Sequence, residues 1–331
     1  MGLEMTALLA VQDLHVSYRS RGGIAFQALT GVSFQLMPGE ILGVLGESGS
    51  GKSTLAASLL RLLPEHGQIT KGSVLFEGKD ILQAGSVELQ GIRGSRISLI
   101  FQEPSLALHP TMRAGEQVRQ VLAAHESLPK RVLKEKTRQV LATVFPEEEG
   151  RISHSYPHQL SGGQRQRVLI AQSIACGPSL IIADEPTASL DPTTQMEILG
   201  VFQSLREKLD LAMIFITHNP ALLAGFADRV LVLYGGRIVE VGAAATVLAS
   251  PQHPYTKALF RSVPRPLERP RNGEKVKLPA IPGDSLPSSL PSEGCPFEPR
   301  CADRMDLCRK REPELIRIGG TQAVSCFKFE S

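Results

Sequence analysis

The densest chemical signal in this chain is Gly46-Glu47-Ser48-Gly49-Ser50-Gly51-Lys52-Ser53-Thr54. It fits the pattern G-x-x-x-x-G-K-[ST], whose glycines let the backbone curl and turn successive N–H groups toward an anion. A helix starting at the end of such a loop adds partial positive charge. Lys52 can reach outer phosphates, and the Ser53 hydroxyl can sit on a magnesium ion. Two adjacent acids, Asp184 and Glu185, close the apolar run Leu180-Ile181-Ile182-Ala183. Carboxylates after a buried run are not a solvated face. Asp184 can hold magnesium through water, and Glu185 can orient or deprotonate an attacking water. Gln102 stands just past a short apolar run, where it can reach a metal or a water at the carboxyl end of a parallel strand. His218 stands at the end of another such run, where a phosphate contact is the stronger reading.

A second glycine-bearing helix start lies at Ser161-Gly162-Gly163-Gln164. Ser161 can cap the helix, and the two glycines keep the backbone clear for another anion. One nucleotide does not need two such loops, so the second must serve something else. Tyr18 ends the first alternating segment. It reads either as a platform that stacks on adenine or as a plain strand tyrosine.

These residues need elements to hold them. Residues 8–18 and 26–37 alternate apolar and polar, the period of half-buried strands. The run Ile41-Leu42-Gly43-Val44-Leu45 predicts a buried strand, and 55–63 a helix, so the glycine loop sits between strand and helix. Short strands are expected over 72–78 and 96–101, and helical periodicity over about 116–145, with the basic stretch 130–136 as a solvated helix face. Residues 168–176 form an apolar helix, 193–208 another, 211–217 a buried strand, and 229–241 a hairpin turned by Gly235-Gly236. Residues 253–259 open a short helix. From Pro264 to Pro291 the chain is dense in proline, serine and charge, an extended linker.

The chain has 331 residues, room for one large domain with an appendage or for two domains. Its net charge of +3 is small for that size and argues for no particular nucleic-acid face. No apolar run approaches the roughly eighteen residues of a membrane span, and no secretory signal is seen. Residues Met1 to Thr6 fit the loose myristoylation pattern by chance. Of five cysteines, four lie at Cys295 or beyond, which reads as a cytosolic metal site before a disulfide framework.

Taken together, Gly46 to Thr54, Gln102, residues 160–164, residues 181–185, Ser189 to Asp191 and His218 resemble, in order and spacing, an ABC-transporter ATPase subunit over about residues 8–250. The tail resembles the dipeptide and oligopeptide importer ATPases, through His253-Pro254-Tyr255-Thr256, Ile281-Pro282-Gly283, Gly294-Cys295-Pro296-Phe297 and Arg300-Cys301. Nickel and metallophore importers share this tail. The resemblance implies an α/β phosphate-loop core, an antiparallel β subdomain and a helical subdomain at about 103–165, within an ATPase domain of 1–263. A C-terminal extension follows, with linker 264–293 and cysteine-bearing tail 294–331. It implies ATP and Mg2+ as ligands. Tyr18 would stack on adenine, Gly46, Glu47, Ser48, Gly49, Ser50, Gly51, Lys52, Ser53 and Thr54 would hold the phosphates, and Ser53, Gln102 and Asp184 would serve magnesium. Glu185 would be the catalytic base and His218 would contact the γ-phosphate. Ser161, Gly162, Gly163 and Gln164, with Asp191 in the adjoining turn, would complete a site on an opposing ATPase subunit.

The implied partners are a second, different but homologous ATPase chain, two membrane permeases and an extracytoplasmic substrate-binding protein, with no nucleic acid. The implied place is the cytoplasmic face of the plasma membrane, held peripherally. Departures are few: Asn219 follows the histidine where an acid is common, and Glu103 follows Gln102. A soluble, non-transport ABC ATPase is the rival reading. It is disfavoured by a single ATPase unit without sustained heptads. Cys295, Cys301, Cys308 and Cys326 are separated by five, six and seventeen residues. Four thiolates can ligate zinc or a [4Fe–4S] cluster, or stay unliganded. The spacing lacks the close pair zinc prefers, and the resemblance implies a [4Fe–4S] cluster in some relatives. Cys176, in the apolar helix, is a core residue outside this set.

Overall fold

The computed structural model describes residues 6–19, 25–103, 107–263, 280–283 and 293–330. The myristoylation pattern and nearly all of the linker lie outside them. The described strands are β1 (Leu9–Arg19), β2 (Ala25–Leu36), β3 (Ile41–Leu45), β4 (Gly67–Phe76), β5 (Lys79–Asp80), β6 (Ile97–Ile100), β7 (Leu180–Asp184), β8 (Ala212–Thr217), β9 (Arg229–Tyr234), β10 (Arg237–Ala243), β11 (Leu315–Gly319) and β12 (Gln322–Ser325). The chain divides into two compact units. One comprises Met1–Leu9, Gln35–Ile41 and Leu75–Ile216, the other Ala10–Phe34, Leu42–Val74 and Thr217–Ser331.

In the first unit β6, β7 and β8 run parallel, with Ile97 opposite Leu180 and Ile181 opposite Met213. Every residue of β7 and β8 is buried. Strands covered on both faces show unbroken apolar runs rather than alternation, which is why the sequence of this region reads as it does. The long helical pattern at 116–145 resolves into two helices, Ala114–His125 and Lys130–Val144. Pro129, at the N-cap of the second, has an extended backbone and marks the break. Val118, Leu122, Leu133 and Leu141 are buried, while the basic residues of 130–136 stay on the exposed side, with Lys136 paired to Glu126.

In the second unit β2, β1 and β4 lie side by side in that order. β4 starts at Gly67, five residues before the expected strand. The helix after the glycine loop is shorter than expected and ends at Leu59. There Leu60 and Arg61 donate to carbonyls three residues back, and Arg61 takes a left-handed φ of 52°. That tightening closes a helix end, and Pro64 cannot continue it. β3 pairs in parallel with β9, Val44 opposite Leu231, and β9 forms the expected hairpin with β10.

The tail then does something its composition conceals. β12 pairs antiparallel with β10, Glu240 opposite Val324, and β11 pairs with β12. The cysteine-bearing tail therefore extends the same sheet that carries the phosphate-loop strand. Glu240 ties this join. Its fully buried carboxylate accepts from the backbone N–H of Gln252 (2.8 Å) and of His253 (2.9 Å), and from Gln322 Nε2 (2.7 Å). A buried carboxylate is tolerated only when hydrogen-bonded, and here three donors meet it. Glu240→Ala strands those donors and should lower stability by about 3 kcal/mol or more. Glu240→Gln, which keeps an acceptor oxygen, should cost less. Urea denaturation midpoints of the two variants check this ordering.

Candidate functional site

Each unit carries its own set of the residues singled out by sequence. The second unit holds the loop. Gly46 ends the extended run of β3, and a Cβ there would lie 2.4 Å from the carbonyl oxygen of Leu233 and 2.5 Å from Ser50 Oγ. No side chain fits, so this corner belongs to glycine. Ser50 Oγ is fully buried and has no hydrogen-bond partner, while its carbonyl accepts from Gly236 N–H at 2.9 Å. Lys52 is buried, and its ammonium donates to the carbonyls of Gly46 (2.8 Å) and Glu47 (2.9 Å). The ammonium is thus folded back over the loop's own carbonyls, inside the curl of residues 46–52. Ser53 is exposed, on the first turn of the helix.

Tyr18 stands beside this loop. Its hydroxyl lies 3.3 Å from Thr54 Oγ1, and its ring stacks on Phe26 at 5.5 Å and 23°. Phe26 is itself 47% exposed. His218 is exposed directly after β8. Asn219 caps the short turn after it, accepting from Ala221 N–H at 3.0 Å, so the neutral amide has a local structural task.

The first unit holds the acids. Asp184 ends β7 and is 9% exposed. Glu185 follows with φ 47°, a left-handed conformation a glutamate rarely takes, and its N–H donates to Ile216 of β8 at 3.0 Å. Such strain, of about 1–3 kcal/mol, persists where the surroundings over-determine it. Its consequence is a side chain turned out of the strand direction, where Glu185 Oε2 accepts from Gln102 Nε2 at 3.3 Å. Two residues 83 positions apart thus meet as a carboxylate and an amide.

Ser161 caps the helix Gly162–Ile174 with a reciprocal box: its hydroxyl accepts from Gln164 N–H and its own N–H donates to Gln164 Oε1, both at 3.2 Å. A Cβ on Gly163 would lie 2.6 Å from Thr194 Cγ2. Thr194 in turn bonds Asp191, the N-cap of the helix Pro192–Leu209, through its N–H (3.1 Å) and hydroxyl (2.6 Å). Those contacts, the Thr194 hydroxyl first, hold the Asp191 carboxyl below its ordinary range. The signature-type loop and the Asp191 turn therefore form one surface through Gly163 and Thr194.

In the tail, Cys295, Cys301, Cys308 and Cys326 line one small cavity with His253 and Phe297. Burial pushes the Cys295 thiol up to about 12 and raises Cys301 and Cys326 as well. Among the described residues no three His, Cys, Asp or Glu side chains are grouped to hold a metal ion. The four thiols converge on one cavity but are not drawn into a ligand cage. Cys176 lies apart from them, but in the turn after the helix Gly162–Ile174 and half-buried rather than in the core, its thiol 3.9 Å from the Val121 carbonyl.

One group of residues escaped the sequence reading. Glu47 is gripped from three sides. Its N–H donates to the Tyr255 hydroxyl at 2.8 Å, its carbonyl accepts from Lys52, and its carboxylate takes both ends of the Arg300 guanidinium at 2.7 and 3.1 Å. Tyr255 and Arg300 fell within tail motifs, but nothing in their spacing points 208 and 253 residues back to the loop.

The strand–loop–helix with Lys52, the paired acids after a parallel strand and the capped glycine helix start define an ATP-binding cassette of the ABC type. The ABC transporter family model matches residues 29–188, and a model described as the oligopeptide/dipeptide transporter C-terminal region matches 239–308. The chain belongs to the ATP-binding subunits of the dipeptide and oligopeptide ABC transporters. It is 41% identical to the dipeptide transport ATP-binding protein DppD of Bacillus subtilis, over 98% of this chain and 95% of that one. It is also 41% identical to the oligopeptide transport ATP-binding protein OppD of Salmonella typhimurium, over 97% and 93%. Among solved structures, the dimeric ATP-binding cassette MJ0796 in a post-hydrolysis state with ADP and Pi matches with a TM-score of 0.63 and 28% identity, over 71% of this chain and 98% of that one. CbiO1 of Clostridium perfringens matches with the same score and identity, over 74% and 91%. The chain is accordingly an ATPase.

Glu185→Gln should keep ATP binding and slow hydrolysis on the order of 10³-fold, because the amide can hydrogen-bond a water but cannot take its proton. A single-turnover assay with bound ATP checks this, and turnover within tenfold of the unaltered chain would remove Glu185 from the role of base.

Proposed function

We propose that this chain binds and hydrolyses ATP to drive uptake of short peptides across the plasma membrane. It would work on the cytoplasmic face with two permeases, an extracytoplasmic binding protein and a second, homologous ATPase subunit. The observation that carries this reading is the succession, in one chain, of a cassette region and a peptide-transporter C-terminal region. Among the described residues no helix is long and apolar enough to cross a membrane, in keeping with attachment through permeases. Residues 1–263 are the proposed ATPase domain, with its helical subdomain at about 103–165, and 264–331 the extension.

The proposed chemistry divides among the residues placed above. Tyr18, with Phe26 behind it, offers adenine a flat apolar face. The loop from Gly46 to Thr54 and the Lys52 ammonium bind the phosphates. Ser53, Asp184 and Gln102 would hold Mg2+, which neutralises charge on the outer phosphates when bound. Glu185, steadied by Gln102, accepts a proton from the attacking water as that oxygen bonds to the γ-phosphorus. The bond to the β-phosphate oxygen breaks, giving ADP and inorganic phosphate. His218 would hydrogen-bond the γ-phosphate. Ser161, Gly162, Gly163 and Gln164, coupled to Asp191, would face the nucleotide of the opposing subunit, which accounts for a second anion-type helix start. A Lys52→Ala strain should lose uptake of a labelled dipeptide while keeping nickel uptake. Retained dipeptide uptake would overturn the assignment, and loss of nickel uptake instead would redirect it to metal chelates.

We also propose that the four tail cysteines carry a [4Fe–4S] cluster with a structural role. What supports it is their convergence on one cavity. Thiols held neutral by burial must give up protons to a metal, so loading would be coupled to closing of the cavity. Anaerobic purification should yield about four iron and four acid-labile sulfide per chain. Zinc without iron, or no metal, would remove the cluster.

A further inference from the structure

Glu47 poses an electrostatic problem. It is the second residue of a loop built to receive a polyanion, and it carries a negative charge. Left bare, that carboxylate would repel the phosphates the loop's N–H groups attract. Arg300 meets it with two parallel hydrogen bonds, at 2.7 and 3.1 Å. The side chains are only 7% and 21% exposed, so the pair is not a solvent-screened surface contact. Arg300 is itself fixed. Its Nε donates to the Pro282 carbonyl at 2.9 Å, and its guanidinium lies beside the Tyr234 ring and hydroxyl. Tyr255, on the short helix before the linker, accepts from the N–H of the same glutamate.

We propose that Arg300 is a positioning residue for ATP binding, and that the C-terminal extension acts as an electrostatic latch on the phosphate loop. By neutralising Glu47 and holding its side chain away from the phosphates, the tail sets the loop's affinity for ATP. A tail that let go would leave a carboxylate at the loop's edge and weaken binding without touching the groups that perform hydrolysis. This rests on the reading of residues 46–54 as the phosphate site.

The test is titration of the full-length chain with Mg·ATP by calorimetry, at low and high salt. Arg300→Ala should weaken ATP binding on the order of tenfold, and the loss should shrink as salt screens the freed carboxylate. The double variant Arg300→Ala with Glu47→Gln should return to within about twofold of the unaltered chain, because no charge is left to neutralise. A tail contact that merely stabilises the fold would not be rescued that way. Should Arg300→Ala fail to fold, Arg300→Gln, which keeps a hydrogen-bonding amide but no charge, carries the test and should weaken ATP binding with the same salt dependence. Unchanged affinity in Arg300→Ala or Arg300→Gln, or no rescue in the double variant, would each overturn the latch. Lys52→Ala in the same titration separates the two ideas. If it weakens binding while Arg300→Ala does not, the latch fails and the loop reading stands. If it has no effect, the loop reading fails and the latch with it.

Discussion

A phosphate loop needs a tightly curled backbone, and the surrounding structure has to hold that curl in place. In this chain the constraint falls on residues 46–52. Gly46 is pressed against the Leu233 carbonyl and the Ser50 side chain, Ser50 passes its carbonyl to Gly236, and Lys52 covers the loop's own carbonyls. Each contact runs to β9, to the β9–β10 turn or to the loop itself. The hairpin is therefore the scaffold against which the loop is shaped, and β3 must pair with β9 for the corner to form.

The same sheet explains why an extension of this type can be more than an appendage. β12 adds to β10, β10 pairs with β9, and β9 with β3, so the tail is continuous through backbone hydrogen bonds with the strand that delivers the loop. Tyr234, Tyr255 and Phe297 pack their rings together where these elements converge, with centroids 4.5 to 5.4 Å apart. Tyr234 closes β9, Tyr255 belongs to the helix Pro254–Arg261, and Phe297 belongs to the tail. An aromatic cluster with one member from each gives Arg300 and the Tyr255 hydroxyl fixed positions toward Glu47.

In the other unit the organising feature is the end of β7. Burial on both faces makes β7 rigid, and the left-handed turn at Glu185 spends some of that rigidity to aim one carboxylate at Gln102. The helix starts at Ser161 and Asp191 are joined through Thr194, so two segments that read separately along the chain act as one rim.

Local sequence determined much of this protein. The glycine loop between a buried strand and a helix, the apolar runs of β7 and β8, the cap at Ser161 and the hairpin at Gly235-Gly236 are short-range, because turn chemistry and burial periodicity act over a few residues. The loop residues, the acids and Gln102 were legible for the same reason, each standing at the end of an apolar run. Two element ends differ from the alternation and periodicity: the helix after the loop closes early, at its own tightened last turn and a left-handed Arg61, and β4 starts early at Gly67. The tail forms strands its composition does not announce. The approach of Gln102 to Glu185, the burial of Glu240 under three donors and the grip of Arg300 on Glu47 were decided only by the tertiary structure. Those pairings join residues tens to hundreds of positions apart, and no periodicity or spacing encodes which distant partner a charged side chain will meet once the sheet has formed.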